Sequence, residues 1–347
     1  MIRSTAGRVI RKIDPRARRR ERQARQGARE HVTLPLDMFD QLRTGDEVAA
    51  AKKLEGIYHK GQRRAWNGKE VLAELIEKHG GVQVSPEQRE ALRALFAVIL
   101  WGELAAWKIS ADLAQRLEPL EAKMAATAQA HDEARHFYVM HDYLELLGDV
   151  PRTLPPSTQR LLEGVLQTDD LVRKLVGMQM MVEPMALALF QMVRESNVEP
   201  VLSDLIRLFE RDEARHVALG VLHLPKLLQG MGPVEAARLY RWEFGEYLAQ
   251  LRMLREMEPH FNALGLDVRR VIEIGRNKQV RANQMLAEEI GAPLPVLEAF
   301  IRFFDAKAEW EWPSREYDTS RDHLEAVLRA AFQGGADVPA HLTDVAA

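Results

Sequence analysis

Apolar residues recur three and four positions apart through most of this chain, and strand-like alternation is almost absent. The pattern predicts helices separated by proline and glycine punctuation. Ser85-Pro86-Glu87 reads as a helix start with Ser85 as N-cap, and "ALRALFAVILWGELAAWKI" carries that helix to about residue 117. A turn at Glu118-Pro119 precedes a second helix ending near Gly148. The proline-rich "GDVPRTLPPST" then leads to helices over 159–167 and 169–195, the latter capped by Thr168. A break at "ESNVEP" precedes a long helix that stops before Gly230. Further helices are expected over 233–258, 267–290, 294–311 and 321–333, and only short helical pieces within 1–84. The reading is all-α. Residues 1–30 form an arm, 31–85 pack on a four-helix bundle of 86–230, and 231–347 are C-terminal helices of the same domain.

Two of these helices carry the same five residues. Asp-Glu-Ala-Arg-His stands at 132–136 in "HDEARH" and again at 212–216 in "RDEARH". Glu133 and His136 are three apart, as are Glu213 and His216, so each pair projects from one helix face. A single Glu-x-x-His does not separate a ligand pair from an exposed polar face. Glu103 in "FAVILWGELAAW" and Glu183 in "MQMMVEPMALALF" are lone acids in apolar helical stretches. Buried there, each must be paired, protonated or bound to a cation.

Spacing joins the four glutamates. Glu103 precedes Glu133 by 30 residues and Glu183 precedes Glu213 by 30, with midpoints at Glu118 and Val198 in the two predicted turns. Residues equidistant from a hairpin turn lie at one height. Two such hairpins bring Glu103, Glu133, His136, Glu183, Glu213 and His216 together inside a four-helix bundle. Carboxylate and imidazole ligands suit iron or manganese and leave positions open to O₂. One Glu from each of two helices, with Glu-x-x-His from each of the others, is the ligand pattern of ferritin-like dinuclear carboxylate proteins. Metal-bound histidines commonly donate their second N–H to an outer carboxylate. Asp132 and Asp212 are therefore expected to orient the histidines across the bundle, with Arg135 and Arg215 paired to them.

At these residues the chain resembles the ferritin-like diiron-carboxylate superfamily. Its Asp-Glu-x-Arg-His form is similar to that of bacterial diiron monooxygenase hydroxylases, and more loosely to acyl-carrier-protein desaturases and diiron arylamine N-oxygenases. The resemblance covers about residues 86–230. It implies a ferritin-like bundle in which Glu103, Glu133 and His136 serve one iron and Glu183, Glu213 and His216 the other, two glutamates bridging. Several relatives fit poorly. Where ribonucleotide reductase small subunits place a radical tyrosine, this chain has Met140, and Tyr138 and Tyr143 read as packing or surface residues. The tail "HLTDVAA" lacks a radical-transfer tyrosine. The extra histidine of arylamine N-oxygenases is replaced by Phe209. The threonine that hydroxylases carry one turn beyond the third glutamate is missing from Pro184-Met185-Ala186-Leu187, so proton delivery needs another group or water. Pro184 itself removes a helix hydrogen bond directly after Glu183, which either bends the helix there or is simply packed.

Composition narrows the chemistry. The chain has no cysteine, which excludes thiolate zinc and iron–sulfur sites. Ten Arg and Lys12 against Asp14, Glu21 and Glu30 give residues 1–30 a net +8, leaving −11 elsewhere for a total of −3. No aromatic residue interleaves with these arginines, which argues against nucleic acid. The N-terminus lacks the apolar core of a secretory signal, and no apolar run reaches the roughly 20 residues of a membrane helix. A cytoplasmic protein is expected. Phe96, Leu100, Trp101, Met180, Leu187, Phe190 and Phe209 lie on the site-bearing helices and are the candidate lining of an apolar substrate pocket. The expectation is a dinuclear iron oxygenase, Fe/Fe or alternatively Mn/Fe, that uses O₂ to hydroxylate, N-oxygenate or desaturate an apolar organic substrate. An external ferredoxin or flavin reductase would supply electrons, and a homodimer is compatible with this reading. The competing expectation is a ribonucleotide-reductase-small-subunit-like or ferroxidase-like metal protein without an organic substrate.

Overall fold

The computed structural model describes residues 45–291 and 294–333. The arginine-rich arm and the terminal "HLTDVAA" lie outside the described residues. Among those described there is no strand. The helices are α1 (Gly45–Arg64), α2 (Gly68–His79), α3 (Pro86–Arg116), α4 (Leu120–Leu147), α5 (Pro156–Leu166), α6 (Leu171–Ser196), α7 (Pro200–Leu228), α8 (Pro233–Ala263), α9 (Val268–Ile290), α10 (Pro295–Glu311) and α11 (Ser320–Gln333).

Helix α3 begins as its sequence predicts. Ser85 Oγ accepts from Gln88 N–H and Gln88 Oε1 accepts from Ser85 N–H, a closed capping box. Helices α3 and α4 form one antiparallel hairpin, turning at Leu117–Pro119. Helices α6 and α7 form the other, turning at Asn197–Glu199. Asn197 takes a left-handed conformation, which asparagine tolerates, to end α6. Glu199 then caps α7 by accepting from Val201 N–H and Leu202 N–H. Its buried carboxylate also accepts from Tyr143 O–H at 3.1 Å, tying this turn to α4. Tyr143 is thus a packing residue, while Tyr138 is exposed.

The two hairpins pair through α4 and α7. Helix α8 lies against α3 and α5, and α9 lies against α6 and α7. Helix α1 places Leu54 and Ile57 into one apolar core cluster, and α2 places Leu72 into a second.

Several boundaries differ from expectation. Asp170, not Thr168, caps α6: its Oδ1 accepts from Val172 N–H and Arg173 N–H, and Thr168 Oγ1 takes only Asp170 N–H. Residues 45–64 form a full 20-residue helix rather than a short piece. Helix α8 runs past Pro259 to Ala263 because Met257 and Phe261 share a buried face. Helices α3 and α6 are long and apolar enough to cross a bilayer by length and composition. Both are instead bundle walls, apolar because neighbouring helices cover them.

The middle of α6 carries the largest departure from regularity. Val176–Val182 is π-helical, and Glu183 N–H donates to Met178 O, five residues back. Close packing accompanies it on two sides. A Cβ at Gly177 would stand 2.6 Å from a Val165 methyl, and one at Gly220 would stand 2.5 Å from Gln179 Cβ.

Candidate metal centre

Helices α3, α4, α6 and α7 each deliver a glutamate to one buried point, with His136 and His216 one turn beyond theirs on α4 and α7. Two groups result: Glu103, Glu133, His136 and Glu213, and Glu133, Glu183, Glu213 and His216. Within each, the ligand atoms all lie within 4.8 Å of one another. Glu133 and Glu213 belong to both groups, while Glu103 with His136 and Glu183 with His216 each belong to one.

Both histidines turn Nδ1 inward. His136 Nδ1 lies 3.0 Å from Glu213 Oε1 and 3.5 Å from Glu103 Oε2 and Glu133 Oε2. His216 Nδ1 lies 2.5 Å from Glu213 Oε2, 3.1 Å from Glu133 Oε1 and 3.5 Å from Glu183 Oε1. Despite these approaches, His136 Nδ1, Glu133 Oε2 and Glu213 Oε1 have no hydrogen-bond partner among the described residues. Buried polar atoms gathered this closely without hydrogen bonds between them suit the ligation of a cation.

Charge gives the same answer. Six carboxylates and two guanidiniums are buried here, so neutral histidines leave four negative charges. Two divalent cations would balance them. Without cations, burial pushes Glu103 and Glu183 well above the usual carboxylate range, reinforced by the Glu213 carboxylate. Burial acts the same way on Glu133, but His216 and His136 outweigh it and hold that carboxyl below its usual range. Burial opposes protonation of His136, and Asp212 and the glutamates overcome it, so its pKa lies well above the ordinary value. Glu133 and Glu213 do the same for His216. Protons on the histidines thus occupy the electrostatic role that cations can take.

A second layer crosses the bundle. Asp212 Oδ2 lies 3.4 Å from His136 Nε2, and Asp132 Oδ2 lies 3.4 Å from His216 Nε2. Arg135 bridges Asp132 and Asp212 at 2.5 and 2.8 Å. Arg215 bridges the same pair at 2.6 and 2.9 Å. All ten residues singled out by the repeat and its partner glutamates are therefore brought together. His131 is exposed and touches only this outer layer, at Arg135 and Asp132.

Other contacts were not legible in the repeat. Gln129 donates to Glu133 Oε1 at 3.1 Å and Glu183 Oε1 at 2.9 Å, and accepts from Gln179. Its place four residues before Glu133 was the available signal. Phe209, four residues before Glu213, instead stacks on His136 at 4.1 Å between ring centroids. Trp66, between α1 and α2, donates its indole N–H to Asp212 Oδ2 at 2.7 Å. The two halves of the site thus share ligands but not surroundings.

A cavity of about 80 Å³ reaches the centre from the α3–α6 flank. Glu103 and Glu183 form part of its wall, with Val98, Ala106, Val182 and Ala186 among its apolar residues. Phe96, Leu100, Trp101, Met180, Leu187, Phe190 and Phe209 do not line it. Phe96, Leu100, Phe190 and Phe209 fill one core cluster, and Met180 and Leu187 fill the other. Leu100 and Trp101 border a separate surface pocket with Phe137 and His141. Met180, Leu187 and Phe190, at helical spacing from Glu183, lie on the stripe of α6 that packs inside the bundle, whereas the cavity opens on the neighbouring flank through Val182, Ala186 and Leu189.

No protein-family model matches the chain, and no curated protein does. Among solved structures, the dimanganese(II)-NrdF of Streptococcus sanguinis superposes with a TM-score of 0.56 at 13% identity, over 83% of this chain and 97% of that one. Two structures of R2-like ligand-binding oxidase, solved with reconstituted metal cofactors, give TM-scores of 0.42 and 0.41. They are 19% and 17% identical, over 69% and 85% of this chain and 90% and 93% of those chains. The first superposition establishes a shared architecture. The bundle is ferritin-like.

Proposed function

We propose that this chain is a dinuclear iron oxygenase that uses O₂ to oxidise a mainly apolar organic substrate by hydroxylation, N-oxygenation or desaturation. Glu133 and Glu213, which belong to both groups, would be shared between two metal ions, Glu103 and His136 would hold one of them, and Glu183 and His216 would hold the other. Two iron ions, or a Mn/Fe pair, supply the redox chemistry toward O₂. A separate ferredoxin or flavin reductase supplies electrons. Asp132 and Asp212 accept the outer N–H of the histidines and fix which nitrogen faces the metals. Against the effect of burial, histidines hold both aspartates below the usual carboxylate range, His131 and His216 at Asp132 and His136 at Asp212, with Arg215 beside them, and Arg135 bonds both.

The observation that carries the reading is the cavity wall. Its apolar lining is interrupted by both unshared carboxylates, Glu103 and Glu183, so a bound molecule would lie against both metal positions. Other polar groups there are few: Thr158, whose hydroxyl has no partner among the described residues, and Gln250. That lining suits a substrate that is mostly hydrocarbon with one polar function.

The test is O₂ uptake by the ferrous-loaded protein with candidate apolar substrates. Uptake matched one-to-one by an oxidised organic product is expected. Uptake that only oxidises the metal would favour the ferroxidase-like alternative.

A further inference from the structure

The π-helical turn that leads into Glu183 is held from outside the bundle. Gln250 of α8 donates its side-chain N–H to Met181 O at 3.0 Å. Gln279 of α9 donates to the same carbonyl at 3.2 Å and to Gln250 Oε1 at 3.0 Å. Both glutamines are buried. The three groups close a ring of hydrogen bonds, and the ring fixes both amide orientations. Turning either amide over would set carbonyl oxygen against carbonyl oxygen.

This clamp sits where the backbone is least regular. The turn carries an extra residue, Pro184 provides no N–H, and Glu183 lies two residues beyond the clamped carbonyl. Side chains that engage a helix's own carbonyls stabilise such local departures from the α ladder. Helices α8 and α9 contribute none of the six carboxylate and imidazole ligands, yet both reach this one backbone atom. Gln250 also lines the cavity that touches Glu103 and Glu183, so the clamp borders the space a substrate would occupy.

We propose that Gln250 and Gln279 are positioning residues for Glu183, holding the π turn in the geometry that completes one of the two metal positions. The inference rests on the reading of Glu183 as a metal ligand. It assigns the two helices outside the bundle a part in tuning one half of the site.

The test uses the full chain with Gln250→Met and Gln279→Met, which keep side-chain length and remove the N–H donors. Apo proteins are titrated with Mn²⁺, free ion being followed by electron paramagnetic resonance. Backbone amide exchange is measured separately by mass spectrometry on the same apo proteins. The wild type is expected to bind two ions. Gln250→Met should weaken one of them about 10- to 100-fold and leave the other within a few-fold. Exchange should accelerate in peptides spanning Val176–Met185 and stay unchanged in α4 and α7. Gln279→Met, which leaves the Gln250 bond in place, should show the same pattern in weaker form and serves if Gln250→Met does not fold. Two ions bound with wild-type affinity by both variants would overturn the inference alone. Equal weakening of both ions, or faster exchange throughout the bundle, would also overturn it. Failure of the wild type to bind two ions would overturn the metal reading itself and the inference with it.

Discussion

Asp132 Oδ2 lies 3.4 Å from His216 Nε2, so the aspartate of the first repeat faces the histidine of the second. Asp212 and His136 complete the exchange at the same distance. The two copies of Asp-Glu-Ala-Arg-His are therefore interlocked. Each supplies a glutamate and a histidine to the candidate site and faces the imidazole of the other with its aspartate, with Arg135 and Arg215 bonded to both aspartates.

Interlocking has a diagnostic consequence. Asp132→Asn should weaken the ion held by Glu183 and His216, in the opposite repeat, by about 10- to 100-fold. Asp212→Asn should weaken the ion held by Glu103 and His136. A two-site Mn²⁺ titration of Asp132→Asn combined with Glu103→Ala, and separately with Glu183→Ala, identifies the weakened site. Weakening of the His136 position by Asp132→Asn would contradict the crossed arrangement.

Shared and unshared glutamates should also behave differently. Glu133 and Glu213 belong to both ligand groups, whereas Glu103 and Glu183 each belong to one. Glu133→Ala or Glu213→Ala is expected to lower metal content from two ions per chain to less than one. Glu103→Ala or Glu183→Ala should leave about one. Metal analysis after gel filtration, with circular dichroism to confirm folding, measures the difference.

The repeat was readable because its chemistry is local. Glu-x-x-His falls on one helix face, and equal 30-residue intervals mirrored about two turns locate the hairpins. What escaped depends on contacts across space or on broken helix periodicity. Trp66 reaches Asp212 from a segment whose own pattern has no link to the site. Met180, Leu187 and Phe190 stand at regular α spacing from Glu183, and that spacing marks the inward stripe of α6 rather than its cavity flank. The cap of α6 falls at Asp170 rather than Thr168 because three acceptor side chains, Thr168, Asp169 and Asp170, stand in a row, and local sequence does not decide among them.

Gly220 is required by close packing. Its added Cβ would stand 2.5 Å from Gln179 Cβ, on the π turn of α6. Gly220→Ala should destabilise the fold by about 1–3 kcal/mol, the usual cost of overpacking, against a small gain in helix propensity. Urea unfolding of the apo protein gives the value. A neutral or stabilising outcome would show that α6 and α7 can separate there at no cost.

Glu243, which belongs to neither candidate ligand group, sets a pH dependence of its own. Burial pushes its carboxyl up to about 8, and its Oε2 has no hydrogen-bond partner among the described residues. The folded chain therefore retains a proton that the unfolded chain releases near 4.5. This contribution to stability is complete below about pH 4.5 and is lost as pH rises through about 8. Glu243→Gln cannot ionise, so its stability relative to wild type should rise by roughly 2–4 kcal/mol between pH 5 and pH 9. Paired denaturation curves at the two pH values measure this, since groups common to both proteins cancel. No change in the difference would mean that the carboxyl is ionised in the folded state.

Thr158 separates packing from recognition in the cavity. Its hydroxyl is buried and unpartnered among the described residues, and it lines the space that Glu103 and Glu183 border. Thr158→Val keeps the shape and removes the polar group. With no protein hydrogen bond to lose, stability should change by less than about 1 kcal/mol or improve. If the hydroxyl bonds the single polar function of a substrate, kcat/KM should fall by about tenfold, the value of one hydrogen bond of about 1.4 kcal/mol, mainly through KM. Metal content should stay at two ions. Loss of stability with kcat/KM unchanged would instead assign Thr158 to packing, and the substrate's polar group would then face Gln250 or the metal ligands.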